Sequence, residues 1–142
     1  MHTAILGAGA LGIIIGALMA KNGKQVDLID SFKENVDALN ANGATVTGNL
    51  NLRQKVRALT PEQMTGRYDL VFVLTKQTAN KIALPKLLPF LHQDSIVCTL
   101  QNGIPEESVA SYVGKERTIG GAVGFGATWL RPGVSELTST ME

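Results

Sequence analysis

The sequence predicts an α/β fold: a doubly wound, mostly parallel sheet followed by a β-hairpin near the carboxyl end. Three observations carry that prediction. Apolar runs of strand length alternate with helical stretches from the first residues to about position 120, an order that puts parallel strands in one sheet with helices on both faces. A cluster of glycines separates the first such strand from the first helix. Asp69 to Leu74 (DLVFVL) is apolar almost throughout, as a strand covered on both faces must be.

The elements follow in order. Thr3-Ala4-Ile5-Leu6 is a short buried strand running into the glycine turn. Leu11, Ile14, Ile15 and Leu18 recur at helical spacing, and Asn22-Gly23 is a C-cap pair that ends the helix. Val26 to Ile29 reads as a second strand that stops at Asp30. Ser31 and Glu34 form a capping-box pattern that opens a helix closing at Asn42-Gly43. Ala44 to Leu59 fits two or three short strands with a turn at Asn49. After the Asp69–Leu74 strand a helix is expected from about Thr78, with Pro85 starting a second helical piece. Ser95–Leu100 is the next strand, Pro105-Glu106-Glu107 begins another helix, and Thr118–Ala122 is a further strand. Val123–Leu130 and Val134–Thr138 flank Arg131-Pro132-Gly133, a hairpin turn. Residues 1–142 are accordingly read as one domain.

Composition narrows the function classes. A formal net charge of +1, with basic residues spread along the chain, leaves no electrostatic footprint for nucleic acid or an anionic membrane. The apolar first twenty residues lack a basic start and are punctuated by Gly7, Gly9, Gly12 and Gly16, so neither a signal peptide nor a membrane span is expected. The single cysteine, Cys98, cannot form an internal disulfide and fits a reducing, cytoplasmic setting. It lies in an apolar run and reads as a small buried hydrophobe rather than a reactive thiol. No metal-ligand spacing or nucleophile–base pair stands out, and neither His2 nor His92, placed at the end of a helix, is assigned acid–base work.

Gly7-Ala8-Gly9-Ala10-Leu11-Gly12 matches G-x-G-x-x-G. The pattern alone is weak, but here it directly follows a buried strand and opens a helix, the context a dinucleotide needs. Gly7 permits the tight turn, Gly9 lets backbone approach a pyrophosphate, and Gly12 lets helix and strand pack closely. The helix amino end then offers free N–H groups and a positive dipole end to the phosphates. The prediction is therefore a Rossmann-type dinucleotide-binding domain, with these six residues as the cradle.

Asp30 lies eighteen residues past Gly12, at the end of the second strand, where an acid accepts the ribose hydroxyls. Its carboxylate would repel a 2′-phosphate, and the nearest cation, Lys33, reads as a solvated helix residue. NAD is expected in preference to NADP. The structural alternative is a helix-capping aspartate, with Ser31 already available for that role. Domains for FAD and S-adenosylmethionine use similar glycine turns, but the later segments disfavour both.

Those segments are Asp69-Leu-Val-Phe-Val-Leu-Thr-Lys76-Gln77, Leu100-Gln-Asn102-Gly103, and Gly126-Ala127-Thr128 followed by Pro132-Gly133. With the Gly7–Gly12 turn they resemble, in order and spacing, the ketopantoate reductase (2-dehydropantoate 2-reductase) family over essentially the whole chain. The resemblance implies hydride transfer between a nicotinamide cofactor and a 2-oxoacid. It implies cofactor contacts at Lys76, at Asn102 near the nicotinamide ribose, and at Ala127. Read without it, a lysine after a strand is a solvated loop residue and Asn-Gly a turn. Both nevertheless follow carboxyl ends of strands, the edge where ligands bind in open α/β sheets.

Asp30 departs from the resemblance, since ketopantoate reductases typically use NADPH and carry a basic residue there. That points to NAD-dependent members resembling D-2-hydroxyacid dehydrogenases. The resemblance further implies that a catalytic lysine and the substrate contacts lie in a second, helical domain absent from this chain. No catalytic residue is assigned here, and the 2-oxoacid would be met through that domain, with the full-length enzyme a homodimer. The alternative is a stand-alone NAD(H)-binding or sensing module without catalysis.

Overall fold

The computed structural model describes residues 1–101 and 105–139. Its elements are β1 (Thr3–Leu6), α1 (Ala10–Lys21), β2 (Val26–Ile29), α2 (Lys33–Asn42), β3 (Ala44–Gly48), β4 (Leu52–Gln54) and β5 (Arg57–Leu59). Then come β6 (Tyr68–Val73), α3 (Asn80–Leu87), β7 (Leu91–Thr99), α4 (Glu106–Val113), β8 (Thr118–Gly120), β9 (Gly126–Arg131) and β10 (Val134–Ser139). Six strands form one sheet in the order β5-β2-β1-β6-β7-β8, every neighbouring pair parallel. The chain winds outward from β1 to β5 and then returns to lay down β6, so the switch point falls between β1 and β6.

The hairpin is present, but it is not an appendage. β9 and β10 pair antiparallel, β10 runs parallel to β3, and β3 pairs with β4, which makes a second four-stranded sheet. This long-range pairing carries no local signature, and the sequence did not reveal it. It explains a feature of α1, whose residues are apolar on every side up to Lys21 in its last turn. The helix contacts β1 and β2 of the first sheet and β3, β4, β9 and β10 of the second, so no face is left for polar side chains. Ile5, Ile13, Ile14, Leu28, Leu39 and Val46 are fully buried in this layer. Each contributes roughly 1.5–3 kcal/mol of burial. Gly16 completes the packing: a Cβ there would press to 2.8 Å from the Leu28 side chain.

Four local expectations are corrected. Helix α2 begins at Lys33 with Phe32 as its unassisted N-cap, not with Ser31. The Ser31 and Phe32 amides instead donate to the Asp30 carboxylate, which displaces the Ser31–Glu34 box. Pro85 lies inside α3 rather than starting a second piece. The bond it removes would have gone to Lys81, and both residues are exposed, at a position where losing a helix bond costs less than in the core. The strand expected from Ser95 begins at Leu91 and includes His92, and that expected over Thr118–Ala122 ends at Gly120. Cys98 is buried in β7, and burial raises its thiol pKa, as an inert core thiol requires.

Two histidine–carboxylate pairs, not expected from sequence, lie at the amino edge of the large sheet. His2 Nε2 is 3.2 Å from Asp27 and His92 Nε2 is 2.7 Å from Asp69. Asp69 also accepts from the His2 amide, which with His92 holds its carboxyl below the usual range. Asp27, almost wholly buried, accepts from Tyr68 Oη at 2.7 Å and lies 3.5 Å from Arg57. Burial and the Asp27 charge push the Tyr68 hydroxyl above its ordinary range. These bonds tie the starts of β1, β2, β6 and β7 together, at the end opposite the glycine turn. Tyr68→Phe should therefore lower stability by about 1–3 kcal/mol, the cost of a bond to a charged acceptor, measured by urea unfolding; an unchanged midpoint would show the bond to be dispensable.

Candidate functional site

At the carboxyl edge the strands hand over to loops in an ordered way. Ladder hydrogen bonds continue one residue past each strand: Gly7 N to Ile29 O, Leu74 N to Leu6 O, and Leu100 N to Val73 O, at 2.8 to 3.0 Å. Gly7 has φ +108°, a left-handed conformation, and a Cβ there would lie 2.8 Å from the Thr75 nitrogen. The turns after β1 and β6 therefore touch at the switch point, and glycine is required on both counts. A Cβ on Gly12 would overlap the Gly7 carbonyl oxygen and crowd Ile5, so this glycine sets how closely α1 approaches β1.

Gly9 is different. A Cβ there meets nothing within 4 Å, so space lies open beside the N-cap of α1. Gly9 supplies no side-chain cap, and the Ala10, Leu11 and Gly12 amides in the first turn have no carbonyl four residues back in the helix. Twelve residues of aligned peptide dipoles end here, in a position suited to a doubly charged phosphate group. Ala8 is buried beneath the turn, and Leu11 lines the edge beyond it.

Two clefts run from this turn. One, of about 190 Å³, is lined by Gly7, Asp30, Thr75, Ala79 and Ile82 among others. The second, of about 230 Å³, is lined by Leu11, Thr75, Lys76 and Gln101 among others. Thr75 belongs to both, so together they follow the edge from Asp30 to Lys76. Asp30 stands at the far end, its backbone nitrogen bonded to Leu59 O at 3.0 Å. Burial raises its carboxyl pKa, partly countered by hydrogen bonds from the Asn35 side chain and the Ser31 and Phe32 amides. Lys33 is turned away into an exposed pair with Asp37 at 2.8 Å, so it does not offset the Asp30 charge.

Lys76 is exposed at the start of a short 3₁₀ turn after β6. Asn102 lies outside the described residues. Ala127 is half-buried on β9, paired with Leu137 and packed in the apolar layer around α1. The structure thus brings the glycine turn, Asp30 and Lys76 to one edge and places Ala127 on the second sheet beside α1.

Two buried residues at this edge escaped sequence reasoning. Gln101 donates to Thr75 O at 2.5 Å and to Asn80 Oδ1 at 2.7 Å, and accepts from Thr99 Oγ1 at 3.1 Å. It fixes the turn carrying Lys76 against the end of β7. Asn35 bonds to both Ala8 O and Asp30. Gln101 could have been found from its place beside Asn102, whereas Asn35 falls on an otherwise ordinary helix and gave no signal. Among the described residues no group of histidine, cysteine and acidic side chains is arranged to hold a metal, and no helix is long and apolar enough to cross a membrane.

The strand order, the switch point between β1 and β6 and the glycine turn at the head of α1 define a Rossmann-type α/β domain. Residues 3–142 match the family described as ketopantoate reductase PanE/ApbA, and the chain belongs to that family. It is 36% identical over 137 residues to the 2-dehydropantoate 2-reductase of Pyrococcus horikoshii, covering 96% of this chain and 44% of that protein. The structure of D-mandelate dehydrogenase with NADH and anilino(oxo)acetate superposes with a TM-score of 0.89 at 26% identity, over 98% of this chain and 46% of that one. The 2-dehydropantoate 2-reductase of Geobacter metallireducens GS-15 gives 0.85 at 32% identity, over 99% and 47%. The chain spans less than half the length of each of these relatives.

The raised Asp30 carboxyl makes a signed prediction. Its folded pKa lies above the unfolded value, so the ionised group opposes folding above that pKa and the penalty fades as pH falls through it towards the unfolded value. Asp30→Asn should be more stable than the parent at neutral pH, with the difference shrinking on acidification. Unfolding midpoints across pH check this, and a less stable variant at neutral pH would contradict it.

Proposed function

We propose that this chain is the cofactor-binding half of an oxidoreductase that moves hydride between NAD(H) and a 2-oxoacid/2-hydroxyacid pair, ketopantoate and pantoate or a related D-2-hydroxyacid. The observation that carries the reading is the open space over Gly9, at the uncapped amino end of α1 and directly at the switch point of the sheet. In this reading Gly7, Ala8, Gly9, Ala10, Leu11 and Gly12 wrap the pyrophosphate, with the Ala10 to Gly12 amides as donors. Asp30 accepts from the ribose hydroxyls, as an acid at the end of the second strand does. Lys76 meets a phosphate or ribose oxygen as a point charge. Asn102 and Ala127 complete the set towards the nicotinamide end.

NAD(H) is favoured over NADP(H) by charge. A 2′-phosphate at the ribose would face the Asp30 carboxylate inside a confined cleft, where like charges repel more strongly than in water. The relative solved with NADH, D-mandelate dehydrogenase, is in keeping with this choice. When bound, the nicotinamide supplies the hydride, and this chain's residues hold and orient it. The alkoxide formed from a ketone must also be given a proton. We assign that group, and the contacts to the 2-oxoacid, to the helical domain that makes up the remaining length of such reductases. A reducing compartment such as the cytoplasm suits the unpaired Cys98.

Residues 1–142 should bind NADH more tightly than NADPH in a calorimetric titration, without oxidising NADH in the presence of ketopantoate or other 2-oxoacids. Asp30→Arg should invert the preference by removing the repulsion and adding a phosphate partner. Equal or tighter NADPH binding by the parent chain would defeat the assignment of Asp30, and turnover by this chain alone would defeat the division of labour.

A further inference from the structure

Asn35, in the first turn of α2, is 1% exposed and saturated with hydrogen bonds. Its Nδ2 donates to Asp30 Oδ2 at 2.7 Å and to Ala8 O at 2.8 Å. Its Oδ1 accepts from Gly133 N at 2.8 Å and from Trp129 Nε1 at 3.4 Å. A primary amide has two N–H donors and two oxygen lone pairs, and all are taken. The orientation is unique, because a carboxylate and a carbonyl can only accept while the Gly133 amide and the Trp129 indole can only donate. One side chain therefore joins the acid at the end of β2, the glycine turn after β1, and the hairpin of the second sheet.

We infer that Asn35 is a positioning residue for cofactor choice: by holding Asp30 Oδ2 it fixes the carboxylate so that the other oxygen is presented to the ribose hydroxyls. The inference rests on the NAD(H) reading above and deepens it. Without Asn35 the carboxylate would keep only the local backbone amides that follow it, and its charge would be less firmly held where a 2′-phosphate would sit. The Asn35 bond also opposes the effect of burial on that carboxyl and so favours its ionised form. Because the same amide holds Ala8 O, the acid and the phosphate-facing turn share one anchor, and the hairpin fixes that anchor from behind.

The test is a double-mutant cycle on this chain, with NADH and NADPH dissociation constants measured by calorimetry for the parent, Asn35→Ala, Asp30→Asn and the double variant. Asn35→Ala should cut the NADH-over-NADPH preference about tenfold, the scale of a lost charge-assisted hydrogen bond. In the Asp30→Asn background the same substitution should change that ratio by less than about twofold. A purely structural role would weaken both cofactors equally and leave the ratio alone, and that result overturns the inference while leaving the cofactor reading intact. Parent chain that binds neither cofactor defeats the cofactor reading, and the inference with it. Should Asn35→Ala fail to fold, the parent decides: the Asn35 side-chain amide resonances should move on saturation with NADH but not with nicotinamide mononucleotide, which has no adenosine ribose. Resonances unmoved by NADH overturn the inference.

Discussion

The position of α1 between two sheets is the constraint on which the rest of this structure depends. Its distance from the large sheet is set by contacts that only glycine allows, at Gly12 against the Gly7 carbonyl and at Gly16 against Leu28. Its other side is held by the second sheet, where Ser135 Oγ donates to Ala10 O at 2.7 Å. With the helix packed on both sides, its amino end lies at the gap between β1 and β6, where the Gly7 turn touches the turn after β6. The open, uncapped amino end of α1 that we propose as the phosphate cradle thus follows from how this largely apolar helix is packed.

The two edges of the large sheet divide the remaining work. At the amino edge, charged and aromatic groups satisfy one another: Asp27 is met by His2, Tyr68 and Arg57, and Asp69 by His2 and His92. Such mutually paired groups hold strand starts in register and leave little capacity for a ligand. At the carboxyl edge the polar groups are fixed from behind instead. Asn35 holds Asp30 and Gln101 holds the Thr75 turn, while the Gly9 space and the exposed Lys76 face outward. Orienting groups at one edge and saturating them at the other is how a single sheet can be both stable and receptive.

Most of the large sheet was legible because its determinants are local: apolar strand runs, a glycine turn in its proper context, and helix stops at Asn22-Gly23 and Asn42-Gly43. The family was legible from Lys76, Asn102-Gly103 and Gly126-Ala127-Thr128 for the same reason. What escaped was set by partners far apart in sequence. The parallel pairing of β10 with β3 joins residues some ninety positions apart. Asn35 bonds Gly133 across ninety-eight, and Tyr68 meets Asp27 across forty-one. The capping of α2 failed for a subtler reason: the Ser31 amide, which a capping box would give to the Glu34 side chain, faces the Asp30 carboxylate instead. His92 was misplaced because Leu88-Pro89-Phe90 reads as helix, and the strand begins only one residue later.

Hydrogen–deuterium exchange of this chain with and without NADH reports on both edges of the sheet at once. NADH should slow exchange of the amides of residues 9–12, 30–32 and 74–76. Residues 67–69 and 91–95 at the amino edge should be unchanged. Protection at the amino edge, or none at the amino end of α1, would contradict the proposed cofactor site.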